Sequence, residues 1–139
     1  MGVLNELQHV VSFATIKKSD VSVYSENGVG KAATLVPVTG ASWKDMVITA
    51  GTGIFKQVEI TGDMSGTYVE TSFSVSVPVK EVEYPDIAQE GPVYCRIGFS
   101  DNKYLVVQPV ILGHSYDSSK GEVLFNFSRK SIYGAMLLL

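Results

Sequence analysis

The stretch Thr67-Tyr68-Val69-Glu70-Thr71-Ser72-Phe73-Ser74-Val75-Ser76-Val77-Pro78-Val79-Lys80 decides the fold class. Val69, Thr71, Phe73, Val75, Val77 and Val79 fall on one parity, and Tyr68, Glu70, Ser72, Ser74, Ser76, Pro78 and Lys80 on the other. Strand side chains point alternately to opposite faces, so this segment has one face to bury and one that tolerates water. At roughly 3.3 Å per residue it reaches about 45 Å, more than twice an ordinary strand.

On its N-terminal side, residues 54–61 place Ile54, Val58 and Ile60 on one face and Phe55, Gln57, Glu59 and Thr61 on the other. Between the two segments lies Gly62-Asp63-Met64-Ser65-Gly66, whose glycines and aspartate suit a tight reversal, so a long hairpin is expected over 54–80. If Val58 and Ile60 share the buried face with Val69 and Phe73, each antiparallel pair joins an even-numbered to an odd-numbered residue. Of the two nearest registers, one sets Glu59 against Glu70. The other, with Thr61 opposite Glu70 and Glu59 opposite Ser72, avoids that repulsion and is expected. The wet face then carries Gln57, Glu59, Glu70, Ser72, Ser74 and Ser76, with no base before Lys80.

Further out the same period recurs. Strands are expected around Val21 and Val23, over 31–38, 46–49 and 93–99, over the apolar run 104–112, and around Val123, Phe125 and Phe127. The first residues fit either a short helix on Leu4, Leu7 and Val11 or a strand over 10–16. The proline-containing acidic stretch 81–92 reads as a connection. About eight strands at turn intervals near ten residues, with no long helical period, indicate an all-β antiparallel sandwich or barrel with a long hairpin, a single domain across 1–139.

Composition narrows the function classes. A chain of 139 residues can bury one core without metal or disulfide. Its lone Cys95, in an alternating apolar run, reads as a buried thiol in a chain suited to a reducing compartment. Fourteen acids against eleven bases give a net charge of −3, and the only adjacent basic pairs are Lys17-Lys18 and Arg129-Lys130. Counterion release needs clustered cations, so sequence-specific nucleic-acid binding is not expected. The start lacks the basic and apolar pattern of a secretory signal, and no apolar run approaches the roughly 20 residues of a spanning helix, so no membrane association is expected.

Catalytic and cofactor signatures are weak. Gly113-His114-Ser115-Tyr116-Asp117 resembles a nucleophile elbow but has Asp117 where the second glycine belongs. Gly28-Val29-Gly30-Lys31 lacks the first glycine of a phosphate loop, with Ser25 there, and the hydroxyl after lysine, with Ala32 there. Two histidines and one cysteine give no zinc spacing, and Glu81, Glu83, Asp86 and Glu90 follow no calcium-loop pattern. Asn126-Phe127-Ser128 matches a glycosylation sequon inside an expected strand. No catalytic residue, cofactor or metal is therefore assigned.

Two features fit binding or assembly. Trp43 sits in the polar segment 39–45, where an aromatic ring suits packing or the stacking of a ligand such as a sugar. Met136, Leu137, Leu138 and Leu139 form an apolar stretch that is either a core strand or an oligomer contact.

A small all-β chain with a long hairpin, a neutral-to-acidic hairpin face, a lone cysteine and no catalytic cluster resembles the tail-tube and neck-ring proteins of tailed bacteriophages. Arg96-Ile97-Gly98-Phe99-Ser100-Asp101-Asn102-Lys103-Tyr104-Leu105-Val106-Val107 and Ser128-Arg129-Lys130-Ser131-Ile132-Tyr133 are similar in texture to small virion proteins. The resemblance implies a non-enzymatic subunit of a homo-oligomeric ring or tube, assembled in the host cytoplasm and carried in the virion, whose partners are copies of itself and other virion proteins. It also implies a channel-facing hairpin with Gln57, Glu59, Glu70, Ser72 and Ser74 toward a lumen through which DNA passes without sticking. The alternative is a monomeric β-sandwich module binding carbohydrate or peptide through Trp43.

Overall fold

A computed structural model describes residues 8–26, 32–62, 66–79, 91–100, 102–131 and 134–139. Eleven strands make up 73% of them: β1 (Gln8–Lys17), β2 (Val21–Glu26), β3 (Ala32–Pro37), β4 (Lys44–Met46), β5 (Ile54–Gly62), β6 (Gly66–Pro78), β7 (Pro92–Phe99), β8 (Tyr104–Ile111), β9 (Gly113–Asp117), β10 (Glu122–Ser131) and β11 (Met136–Leu138). The glycine-containing segment 28–31, the stretch 81–90 with its four acids, and Leu4, Leu7 and Tyr133 lie outside the described residues.

The strands form two sheets, one of seven strands and one of four, as in an all-β sandwich. The seven-stranded sheet runs β2-β3-β11-β8-β7-β1, with β4 also on β1, and the four-stranded sheet runs β5-β6-β10-β9. All pairings are antiparallel except β3 with β11. Strand β1 joins the sheets: Gln8 and His9 pair with β5, whereas Val10 onward pairs with β7, with a register shift between Val10 and Ser12. A bulge of this kind bends a strand and lets it turn the corner of a sandwich. At that corner Gly98 lies opposite Ser12, and a Cβ there would collide with the Ser12 hydroxyl and the Tyr104 ring, so the close approach requires glycine.

The quoted alternation holds. Burial switches residue by residue along β6, with Val69, Thr71, Phe73, Val75 and Val77 buried and Glu70, Ser72, Ser74 and Ser76 half-buried. Phe73 is central to the packing, its ring centroid 5.0 Å from that of Phe13 and 5.5 Å from that of Phe127. These rings, with Phe55, Phe125, Ile97 and the β6 and β7 valines, fill the space between the sheets. A second cluster of Ile16, Ala33, Tyr94, Val106 and Met136 lies on the other face of the seven-stranded sheet, covered by Val21, Tyr24 and Leu35 of the β2–β3 hairpin. Strand β8 is thus covered on both faces, with Val106 in one cluster and Val107 in the other.

The hairpin register differs from the expected one. Phe55 pairs with Phe73, Gln57 with Thr71, Val58 with Glu70 and Glu59 with Val69, so paired residues share parity. Phe55 and Gln57 are buried, while Ile54 is 43% exposed. The larger Phe55 ring takes the core position. The β-branched Ile54, Val58 and Ile60 remain on the outer face, where such residues still suit a pleated, half-covered surface. The strand over 46–49 is also displaced: β4 is Lys44–Met46, and the chain beyond it lies along β6, with Thr49 N–H donating to Ser76 O at 2.8 Å. The strand count exceeds eight chiefly because β9 and β11 are strands in their own right.

Candidate functional site

The five residues assigned to a channel face do not share a face. Gln57 is 8% exposed and points into the sandwich, where its Oε1 accepts from Ala135 N–H at 2.8 Å and from the Thr71 hydroxyl at 3.3 Å. Those two bonds compensate the desolvation of its carbonyl oxygen. They also tie the segment entering β11 to the centre of β5, so Gln57 is a structural staple rather than a lumen residue. Glu59 is exposed and on the Gln57 side of the ladder, opposite Val69. Glu70, Ser72 and Ser74 lie on the outer face.

That outer face gains its other members from flanking strands. Lys56 stands opposite Ser72 on β5, while Ser128 and Lys130 stand opposite Ser72 and Glu70 on β10. The expected absence of bases is therefore corrected: the parity argument put Lys56 on the other face, and Lys130 is on β10, to which it assigned no partner. The Lys130 ammonium lies 5.8 Å from the Tyr68 ring centroid. Small polar side chains occupy the middle of this face, the hydroxyls of Ser72, Ser74, Ser76 and Ser128 with the amide of Asn126, and opposite charges are interspersed at its margins.

Of the four C-terminal residues, Met136 is 1% exposed within the second cluster, so it is unavailable to a partner. Strand β11 is a core strand wedged between β8 and β3, and Leu138 packs inward. Leu137 and Leu139 remain exposed, at 37% and 73%.

Trp43 is half-buried against the second cluster. The Arg96 guanidinium sits 5.2 Å from its ring centroid and 5.0 Å from that of Tyr104, and Arg96 Nη2 donates to Asp45 Oδ1 at 2.6 Å. A planar cation over two aromatic rings is held by the ring quadrupoles, and here it covers one face of Trp43. Beside this group lies a shallow polar cleft of about 250 Å³ lined by Thr15, Ile16, Lys17, Asp20, Ser42 and Lys44. Elsewhere Tyr24 donates to Glu26 at 2.9 Å, Gln108 donates to Glu26, and Arg129 donates to Gln108 at 2.7 Å, linking β2, β8 and β10. Burial, and then the bond to Glu26, raise the Tyr24 phenol well above its ordinary pKa.

Comparison with family models, with curated proteins and with solved structures found no match for this chain.

The chemistry-bearing residues singled out in the sequence do not converge. Ser115 pairs with Leu124 and His114 with Phe125, so the two point to opposite faces of β9. Cys95 is fully buried, and burial raises its thiol pKa far from the reactive range. No group of three metal-ligating side chains occurs among the described residues, and no helix among them is long and apolar enough to cross a membrane. The possible phosphate loop at 28–31 lies outside the described residues.

Proposed function

We propose that this protein is a non-enzymatic structural subunit that assembles with copies of itself into a ring or tube, in keeping with its resemblance to bacteriophage tail and neck components. The observation that carries the reading is the outer face of β6 and its neighbours, where Ser72, Ser74, Ser76, Asn126 and Ser128 lie together, flanked by Ile54, Val58, Ile60 and Leu124. Its charges, Lys56, Lys130, Glu70 and Glu122, are mixed in sign, with Lys130 directly opposite Glu70. Such a surface offers hydration without a field of one sign. As a channel wall it would let a polyanion slide, because no cluster of cations exchanges with condensed counterions. The lumen residues in this reading are Glu70, Ser72 and Ser74, without Gln57. Exposed apolar side chains elsewhere, including Ile111 at 74% and Leu139 at 73%, supply surface for contacts with copies or with other virion proteins.

The carbohydrate or peptide module is the weaker alternative, since Arg96 already lies over Trp43.

The test places cations on the proposed wall. Ser72→Lys combined with Ser74→Lys should leave the assembly intact by electron microscopy. Retention of double-stranded DNA at about 50 mM salt should rise at least tenfold and fall steeply toward about 200 mM. Assemblies whose DNA retention is unchanged by the two lysines would remove the face from any channel.

A further inference from the structure

We propose that the cleft at the C-terminal end of β1 binds a small hydroxylated carboxylate, a sugar acid the size of a single uronic acid. The site is separate from the sheet face assigned to a channel wall and stands whether or not the chain assembles.

Strand β1 changes character along one of its faces. Phe13 packs in the core between the sheets with Met46 opposite it. The next pair outward on that face is Thr15 with Lys44, and Lys17 follows beyond the end of β4. The apolar ladder thus ends in a hydroxyl and two ammonium-bearing side chains. The rest of the lining comes from two segments tied by backbone bonds. Asp20 closes the short 3-10 turn Lys18–Asp20, and its carbonyl accepts from Val38 N–H at 2.8 Å. Val38 O accepts in turn from Ala41 N–H at 2.8 Å, closing a turn in which Gly40 takes φ +88°, and Ser42 follows it directly. Walls fixed in this way exist before a ligand arrives, so little ordering entropy is lost on binding.

The lining selects the ligand. Thr15 is 1% exposed, and its hydroxyl makes no hydrogen bond among the described residues. No buried polar side-chain atom among those residues is cut off from both partner and solvent, so what little of Thr15 is exposed includes its hydroxyl, at the floor of the cleft. A polar group held there takes its partner from outside the chain. Lys17 and Asp20 border the same cleft, and neither forms a salt bridge among the described residues. Lys44 is already engaged in another contact and adds its charge without having to turn. Two lysines against one aspartate leave an excess of one positive charge, which favours a monoanion.

A carboxylate on Lys17 makes a charge-assisted bond, ligand hydroxyls donate to Asp20, and the Thr15 and Ser42 hydroxyls both donate and accept. An α-amino acid fits less well, because its ammonium stands beside its own carboxylate and would bring a third cation toward Lys17 and Lys44. Phosphate offers Asp20 like charge. The volume of about 250 Å³ lies below the roughly 300–1,000 Å³ of sites for drug-sized molecules and limits the ligand to about a dozen heavy atoms.

The test titrates the full chain with glucuronate, read by ligand-observed saturation-transfer NMR and by the fluorescence of Trp43, the chain's one tryptophan, which stands between Ser42 and Lys44. A saturable response is expected, with glucose and glucosamine at least about tenfold weaker because each lacks the carboxylate. Lys17→Met should weaken glucuronate at least about tenfold, and Asp20→Ala should weaken glucuronate while strengthening inorganic phosphate. Thr15→Val keeps the side-chain volume and should also weaken glucuronate, with a thermal melt to establish its fold. The exposed Lys17 carries the test should that variant not fold. Absence of saturation by about 50 mM glucuronate would overturn the site. So would phosphate, acetate or glycine binding as tightly as glucuronate, the first two marking an unspecific anion site and the third an amino-acid site. An unchanged affinity in Lys17→Met would move the ligand away from this cleft and overturn it equally.

Discussion

Replacing Phe73 with alanine should lower the unfolding free energy by about 3–5 kcal/mol, the usual range for deleting a buried phenylalanine ring. Phe73 is 3% exposed and its ring contacts those of Phe13 and Phe127, so the change opens a cavity between the two sheets. Three strands lose packing at once, because Phe13 is on β1, Phe73 on β6 and Phe127 on β10. Urea denaturation followed by Trp43 fluorescence measures the effect as a fall in midpoint with an unchanged slope. A loss below about 1 kcal/mol would mean that the aromatic cluster is not the centre of the core.

Gln57→Leu should be the second most damaging change, destabilising by about 2–4 kcal/mol despite adding apolar surface. Leucine keeps the volume but leaves the Ala135 N–H and the Thr71 hydroxyl without the acceptor they share. Gly134 adds to the sensitivity, since its missing Cβ is what lets the chain pass over the Gln57 amide. The damage should be local at first, so amide hydrogen exchange in β11 should accelerate before exchange in β6. Ser72→Ala, on the outer face of the same hairpin, should change stability by less than about 0.5 kcal/mol. A neutral Gln57→Leu would contradict the register that pairs Gln57 with Thr71.

The contrast between these two residues marks what was legible in the sequence. β6 could be read because its two parities differ sharply, valine and phenylalanine against serine, and burial follows that pattern. β5 could not, because both of its parities carry apolar residues. The choice between Ile54, Val58 and Ile60 on one side and Phe55 with Gln57 on the other turns on core space for the Phe55 ring and on a hydrogen bond from Ala135 to Gln57, seventy-eight positions away. No local pattern encodes that distance. β9 was hidden for a different reason: Gly113, Ser115 and Asp117 have turn-like side chains, yet the segment is extended through backbone pairing with β10.

The candidate surfaces were legible to a similar degree. Ser72, Ser74 and Glu70 fall together as their spacing indicates, whereas Lys56 and Lys130 join them only once the strand neighbours are known. Trp43 stood out as an aromatic in a polar segment. Its partners Arg96 and Tyr104 come from β7 and β8, and their meeting at about 5 Å depends on the registers that set Gly98 opposite Tyr104 and Ala14 opposite both Arg96 and Asp45. The sequence hint that could have found them is the placement of Arg96 among apolar strand residues, where a cation needs a carboxylate or a ring.

Sedimentation velocity across a thousandfold range of concentration tests self-assembly most directly. A ring or tube subunit should give discrete species at whole-number multiples of the 15.0 kDa chain, growing with concentration. A single species of 15.0 kDa at every concentration and salt would contradict it.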